Sequence, residues 1–230
     1  MKQTNFCDGW KFRRQGAENI ELVDLPHDAM IHEKRNPKSP GGSAGAFFPG
    51  GIYEYEKTFF VPEDWANKFA AFKFEGVYKN SVVYVNNREM GGCAYGYSQF
   101  YVHTGDALRY DAENTIKVIA RNDDQPNSRW YTGSGIYRPV WLLLAGKSHI
   151  DIDGVKISTL SYNPTKIRVD TSYTGGDTVT VEVLDEGQKI TEGKGQSVEL
   201  TIPNAKLWSD TTPNLYQCRI TLLEKGVTAD

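Results

Sequence analysis

At 230 residues the chain is long enough for one large domain or two ordinary ones, each able to bury a core. A formal net charge of −3 argues against a footprint for nucleic acid or an anionic membrane. The longest uninterrupted apolar run, Val140 to Ala145, falls well short of the ~20 residues a membrane-spanning helix needs.

The first 50 residues read as irregular. Trp10, Phe12, Ile20, Leu22 and Leu25 can supply short strands, but Pro26, Pro37, Pro40 and Pro49, with five glycines between Gly41 and Gly51, break any long helix or central strand. From Ile52 the period becomes two. Tyr53, Tyr55, Phe59 and Val61 alternate with Glu54, Glu56 and Thr58, and Ala70, Phe72 and Phe74 alternate with Ala71, Lys73 and Glu75; both runs predict strands with one buried face. Ser81–Val85 and the run around Ile116, Val118 and Ala120 predict two more, and Val140–Leu144 is continuous enough to be buried on both faces. No segment sustains a helical period. The pattern predicts a jelly-roll sandwich over residues 1–147.

Beyond Gly146-Lys147-Ser148 the aromatic residues thin out and β-branched alternation takes over. Ile150/Ile152, Val155/Ile157, Ile167/Val169, Val179/Val181/Val183, Val198/Leu200/Ile202 and Tyr216/Cys218/Ile220/Leu222 predict about six strands. Residues 148–230 therefore read as a second domain, a small immunoglobulin-like β-sandwich. The fold class expected is all-β throughout.

The candidate chemistry is sparse. Cys7, Cys93 and Cys218 are widely spaced without a Cys-x-x-Cys pair, and the four histidines are scattered, so neither a disulfide framework nor a metal site is written here. Gly41-Gly42-Ser43-Ala44-Gly45 satisfies the spacing of a nucleophile elbow but lacks the strand and helix that such a turn joins, and reads as a surface loop. Glycosidase chemistry needs two carboxyl groups ~5 to 9 Å apart. Asp123-Asp124, Glu63-Asp64 and Asp185-Glu186 are adjacent residues in polar turns, where extended backbone points them apart, so no catalytic residue is assigned in this chain. Met1 is followed by polar residues rather than an apolar signal region, which fits a cytoplasmic chain, or a periplasmic or secreted one whose signal has been removed.

The stretch that organises the chain is Ser128-Arg129-Trp130-Tyr131-Thr132-Gly133-Ser134-Gly135-Ile136-Tyr137-Arg138-Pro139-Val140. On residue type, two readings stand. Trp130 and Ile136 are core plugs with Arg138 pinning a buried carboxylate or carbonyl, or the aromatic loop touches a sugar. This stretch resembles the signature that ends the first, sugar-binding-like domain of the glycoside hydrolase family 2 enzymes, the β-galactosidase, β-glucuronidase and β-mannosidase group. Leu25-Pro26-His27-Asp28, Gly50–Phe59, Phe74-Glu75-Gly76-Val77 leading to Val83-Tyr84-Val85-Asn86-Asn87, and Gly96-Tyr97-Ser98-Gln99-Phe100 resemble the same pattern in order. Leu207-Trp208-Ser209-Asp210 before Pro213-Asn214-Leu215-Tyr216 resembles its second domain.

The resemblance implies a galactose-binding-like jelly roll followed by an immunoglobulin-like domain, with the catalytic (β/α)₈ barrel and its two glutamates absent from this chain. It implies a non-catalytic N-terminal part of a β-galactosidase-like retaining glycosidase, with a β-linked glycan as partner through the missing barrel and homo-oligomerisation of the full-length enzyme left open. No cofactor is expected, the scattered histidines and cysteines argue against a metal, and charge and hydropathy argue against nucleic acid and membrane as partners. By the same resemblance Tyr78, Asn80, Asn127, Ser128 and Arg129 are substrate-binding residues, from the loops before the Val83 strand and at the opening of the signature. Arg129 stands where the best-known members carry an aspartate, and a guanidinium can donate to sugar hydroxyls but not accept from them, which puts the sugar in doubt. A stand-alone carbohydrate-binding module and a purely structural pair of sandwiches are the alternatives.

Overall fold

The computed structural model describes residues 1–230 and is built of strands, its only helical pieces being 3-10 turns at Met30–His32 and Glu63–Asn67. The chain divides into two compact units, Lys2–Leu144 and Ala145–Asp230 with Met1.

The first unit contains β1 (Lys2–Asn5), β2 (Trp10–Arg14), β3 (Glu21–Val23), β4 (Ile52–Val61), β5 (Phe69–Phe74), β6 (Ser81–Val85), β7 (Arg88–Cys93), β8 (Phe100–His103), β9 (Ala112–Arg121) and β10 (Val140–Ala145). They form a four-stranded sheet ordered β1-β10-β5-β8 and a six-stranded sheet ordered β3-β2-β4-β9-β6-β7. Phe72, Phe74 and Val140 from the smaller sheet share one core with Trp10, Tyr55, Val83, Ile116 and Val118 from the larger, all wholly out of water. Each apolar side chain of this size contributes about 1.5–3 kcal/mol when fully buried. Period-two alternation is what aims them: Tyr53 and Tyr55 face inward from β4 while Glu56 and Thr58 remain accessible. Glu54, between the two tyrosines, is buried too. Burial opposes its charge, but Arg13 at 2.6 Å and Lys117 at 3.3 Å outweigh that and hold its carboxyl below the usual range. The expectation that β10 is buried on both faces holds for Val140 and Leu143, whereas Trp141, Leu142 and Leu144 are half-buried.

The second unit holds β11 (His149–Tyr162), β12 (Thr165–Thr174), β13 (Thr178–Asp185), β14 (Gln188–Lys194), β15 (Ser197–Thr201), β16 (Gln217–Glu224) and β17 (Val227–Thr228). Sheets ordered β11-β12-β15 and β14-β13-β16-β17 enclose Val169, Val179, Val181, Val183, Leu200 and Leu222. The pairs Ile150/Ile152 and Val155/Ile157, which alternate as two strands in sequence, belong to one long strand interrupted by an irregularity between Ile150 and Val155. In the register, Ile157 lies opposite Val169 and Val155 opposite Thr171, so both face the core side. Val169 is fully buried, yet Ile157 is 51% and Val155 39% exposed. The facing sheet covers β12 and the Ile150 end of β11, and leaves Val155 and Ile157 open.

Candidate functional site

The organising stretch folds back on the Leu25–Asp28 segment. His27 N donates to Ile136 O at 2.9 Å and Ala29 N donates to Ser134 O at 2.9 Å. The Asp28 carboxylate then collects the loop: Oδ1 accepts from Met30 N and Ser134 N, both at 3.0 Å, and Oδ2 accepts from the Tyr131 hydroxyl at 2.6 Å. Burial, with the Asp28 charge beside it, pushes the Tyr131 hydroxyl far above its usual pKa, so it stays a donor. On the other side Gly135 pairs with Tyr78 through two backbone bonds, Tyr78 N to Gly135 O at 2.9 Å and Gly135 N to Tyr78 O at 2.8 Å.

Asn122, at the end of β9 and fully buried, ties the loops together. Its amide donates to Ser134 Oγ at 2.6 Å, and its Oδ1 accepts from Asn127 Nδ2 at 2.7 Å. Asn127 Oδ1 in turn accepts from the Tyr78 hydroxyl at 3.4 Å. Neither Asn122 nor Asp28 is among the site residues expected from sequence. Their signal was slight: a single amide closing a strand, and an aspartate in a Leu-Pro-His-Asp string.

These bonds frame a cleft of about 330 Å³ lined by residues 78, 79, 94–97, 127, 128 and 130. Three of the five expected substrate-binding residues, Tyr78, Asn127 and Ser128, meet on its wall. Asn80 and Arg129 do not line it. Asn80 takes a left-handed conformation and donates its backbone N–H to Ala94 O at 3.2 Å, and Arg129 lies exposed at the loop surface. Lys79, Tyr95, Tyr97 and Trp130 complete the lining, and no aspartate or glutamate does. Lys79 Nζ pairs with Asp124 at 2.9 Å, and although burial opposes it, that contact holds the Asp124 carboxyl below its usual range. Burial raises Tyr78, with Tyr97 adding to it. The wall therefore offers hydroxyls, an ammonium and ring faces, and no pair of carboxyl groups for acid/base work.

The core-plug reading of the signature holds for Ile136, which is wholly buried, and not for Trp130, which is 60% exposed. Arg138 is exposed as well, its guanidinium lying over the Tyr137 ring at 5.4 Å from the centroid. Ser43 lies exposed in a series of turns with no strand-to-helix junction.

His27 and His32, apart in the string, stack with ring centroids 5.4 Å apart, and His27 Nδ1 lies 2.9 Å from the Tyr55 hydroxyl. Burial, then the neighbouring His32, lowers the His27 pKa from 6.5. The unfolded chain takes up a proton there that the folded chain resists, so stability is greatest above pH 6.5 and declines as acid carries the solution down toward the folded pKa. The thermal midpoint is expected to be lower at about pH 5.5 than at about pH 7.5, and the gap to narrow in His27→Asn. An unchanged gap in the variant would assign the acid sensitivity to another group.

Residues 147–230 match the family model for glycosyl hydrolases family 2. Over 91% of its length the chain is 35% identical to the β-galactosidase BoGH2A of Bacteroides ovatus, of which it spans 27%. It is 26% identical to a β-glucuronidase of Bacteroides fragilis, covering 97% of this chain and 36% of that protein. Among solved structures, a β-glycosidase from Bacteroides vulgatus superposes over the whole chain with a TM-score of 0.87 at 28% identity, the chain covering 33% of it. The chain thus spans about a quarter to a third of the length of these relatives. Its all-β architecture is the one found in the N-terminal domains of such enzymes. The chain is therefore similar to the family 2 glycosyl hydrolases, and it matches the all-β N-terminal part of these longer enzymes.

Proposed function

We propose that this chain is the non-catalytic N-terminal part of a β-galactosidase-like retaining glycosidase, acting on O-glycosidic bonds in carbohydrate metabolism. In this reading it shapes and supports an active site whose two glutamates lie on a barrel outside these residues, with residues 1–147 and 148–230 as its two domains. The observation that carries it is the combination of a match over 91% of the chain to 27% of a β-galactosidase with a sugar-sized cleft that no carboxylate lines. Tyr78, Asn127 and Ser128 would face the glycan directly, with Asn80 and Arg129 at the margin. The uncovered face of β11 and the exposed Leu207, Trp208 and Leu215 of the second unit, 54%, 63% and 79% accessible, support a role in packing against a further domain.

The purified chain is expected to release no chromophore from nitrophenyl β-galactoside or β-glucuronide. Added to the separately produced catalytic part of the same protein, it is expected to raise that part's turnover, and Ile157→Glu with Leu215→Glu to remove the gain while the chain stays folded. Glycoside turnover by the chain alone, or a catalytic part equally active without it, would overturn the reading.

A further inference from the structure

We infer that the cavity over β2, β4 and β9, on the outer face of the six-stranded sheet, binds a small zwitterion of the α-amino acid class, its ammonium on Glu54 and Glu56 and its carboxylate on Lys11. The cavity measures about 150 Å³ and is lined by residues 11–13, 20, 54, 56 and 117, none of which lines the Tyr78 cleft. Alternation along β4 sets this face, since Tyr53 and Tyr55 point into the core and Glu54 and Glu56 therefore point away from it. Glu54 is nevertheless removed from water, its side chain 9% exposed. Its protein donors all converge on one oxygen. Arg13 Nε and Nη2 donate to Oε2 at 2.8 and 2.6 Å, and Lys117 Nζ lies 3.3 Å from the same atom. Oε1 receives no bond from the protein. A carboxylate out of water with one oxygen unfilled is costly, and a charged donor fills it about twice as strongly as a neutral one.

A second pair of charges is unspent. In the strand register Glu56 stands directly opposite Lys11 of β2 on one side and Lys117 of β9 on the other, positions where opposite charges ordinarily meet. Lys117 instead reaches Glu54, and Lys11 and Glu56 form no ion pair with each other or with any other group. A single ion does not suit these walls. An anion would gain the lysines and Arg13 but face Glu56 and Glu54 Oε1, and an amine would gain the two carboxylates but face Lys11 and Lys117. A molecule with an ammonium and a carboxylate one carbon apart satisfies both sets, and the exposed Ile20 gives a short aliphatic side chain an apolar wall. Arg13 and Lys117 already hold Glu54 in place, so binding orders little of the protein, which is what a weak, small site needs.

The test titrates the whole chain, labelled with ¹⁵N, with L-alanine and, separately, with acetate and with methylammonium near neutral pH. Saturable shifts of amide resonances in β2 and β4 are expected with L-alanine, with a dissociation constant in the millimolar range, and with neither single ion. Lys11→Gln and Glu56→Gln each remove a charge that the folded chain leaves unpaired, so the thermal midpoint should stay in place while L-alanine binding weakens by about tenfold in each. A folded chain without saturable shifts in β2 and β4, affinity unaltered in both variants, or acetate or methylammonium binding as well as L-alanine would overturn the inference.

Discussion

Replacing Gly135 by alanine is expected to destabilise the first unit by about 3 kcal/mol or more, enough to unfold a marginal domain. Two costs add at this residue. Its φ is +89°, a backbone conformation that L side chains rarely adopt, and the new methyl group would fall well inside the van der Waals radius of the Tyr55 hydroxyl. Tyr55 cannot yield, because it is wholly buried among Phe12 and His27 and its hydroxyl is engaged by His27 Nδ1. Displacing Gly135 would also break its paired bonds to Tyr78 and so open the cleft. Urea unfolding followed by tryptophan emission measures this, since Trp10, Trp65, Trp130 and Trp141 lie in the first unit and only Trp208 in the second. An alanine variant as stable as the parent would mean that the β4 tyrosines move aside more readily than their packing indicates.

Asp28→Ala is the second substitution with a large expected effect, a loss of about 2–4 kcal/mol. It removes three accepted hydrogen bonds at once and leaves the Met30 and Ser134 N–H groups and the Tyr131 hydroxyl without that partner. Asp28→Asn separates shape from charge. Its Oδ1 still accepts from both backbone amides while its Nδ2 faces Tyr131 as a donor, so the expected cost is about 1 kcal/mol. Equal losses in the two variants would show that the negative charge, not the set of accepted bonds, fastens the signature loop to the amino-terminal segment.

Much of this architecture was written locally. Period-two alternation at Tyr53/Tyr55, Phe72/Phe74 and Ile116/Val118 requires strands with a buried face whatever their neighbours are, because side chains of an extended chain alternate between its sides. Strands whose outward and inward residues differ little escaped that test. Arg88–Cys93 and Gln188–Lys194 carry glycines and few apolar residues, and their pairing with β6 and β13 is what makes them strands. The aromatic signature loop was equally legible as a feature, and Tyr78, Asn127 and Ser128, named together from the resemblance, do share one cleft.

Tertiary structure alone decided which of those side chains share a wall. Asn80 follows Tyr78 by two residues and Arg129 follows Ser128 by one, yet neither lines the cleft, because a left-handed turn at Asn80 and the exposed loop position of Arg129 place them elsewhere. Asp28 and Asn122 acquire their roles from partners up to 106 residues away, and Trp130 becomes a fixed, open ring only because Tyr97 meets its N–H. Alternation and turn chemistry act over a few residues of chain and can be read along it. Hydrogen bonds between distant segments depend on sheet order and register, which no single segment carries.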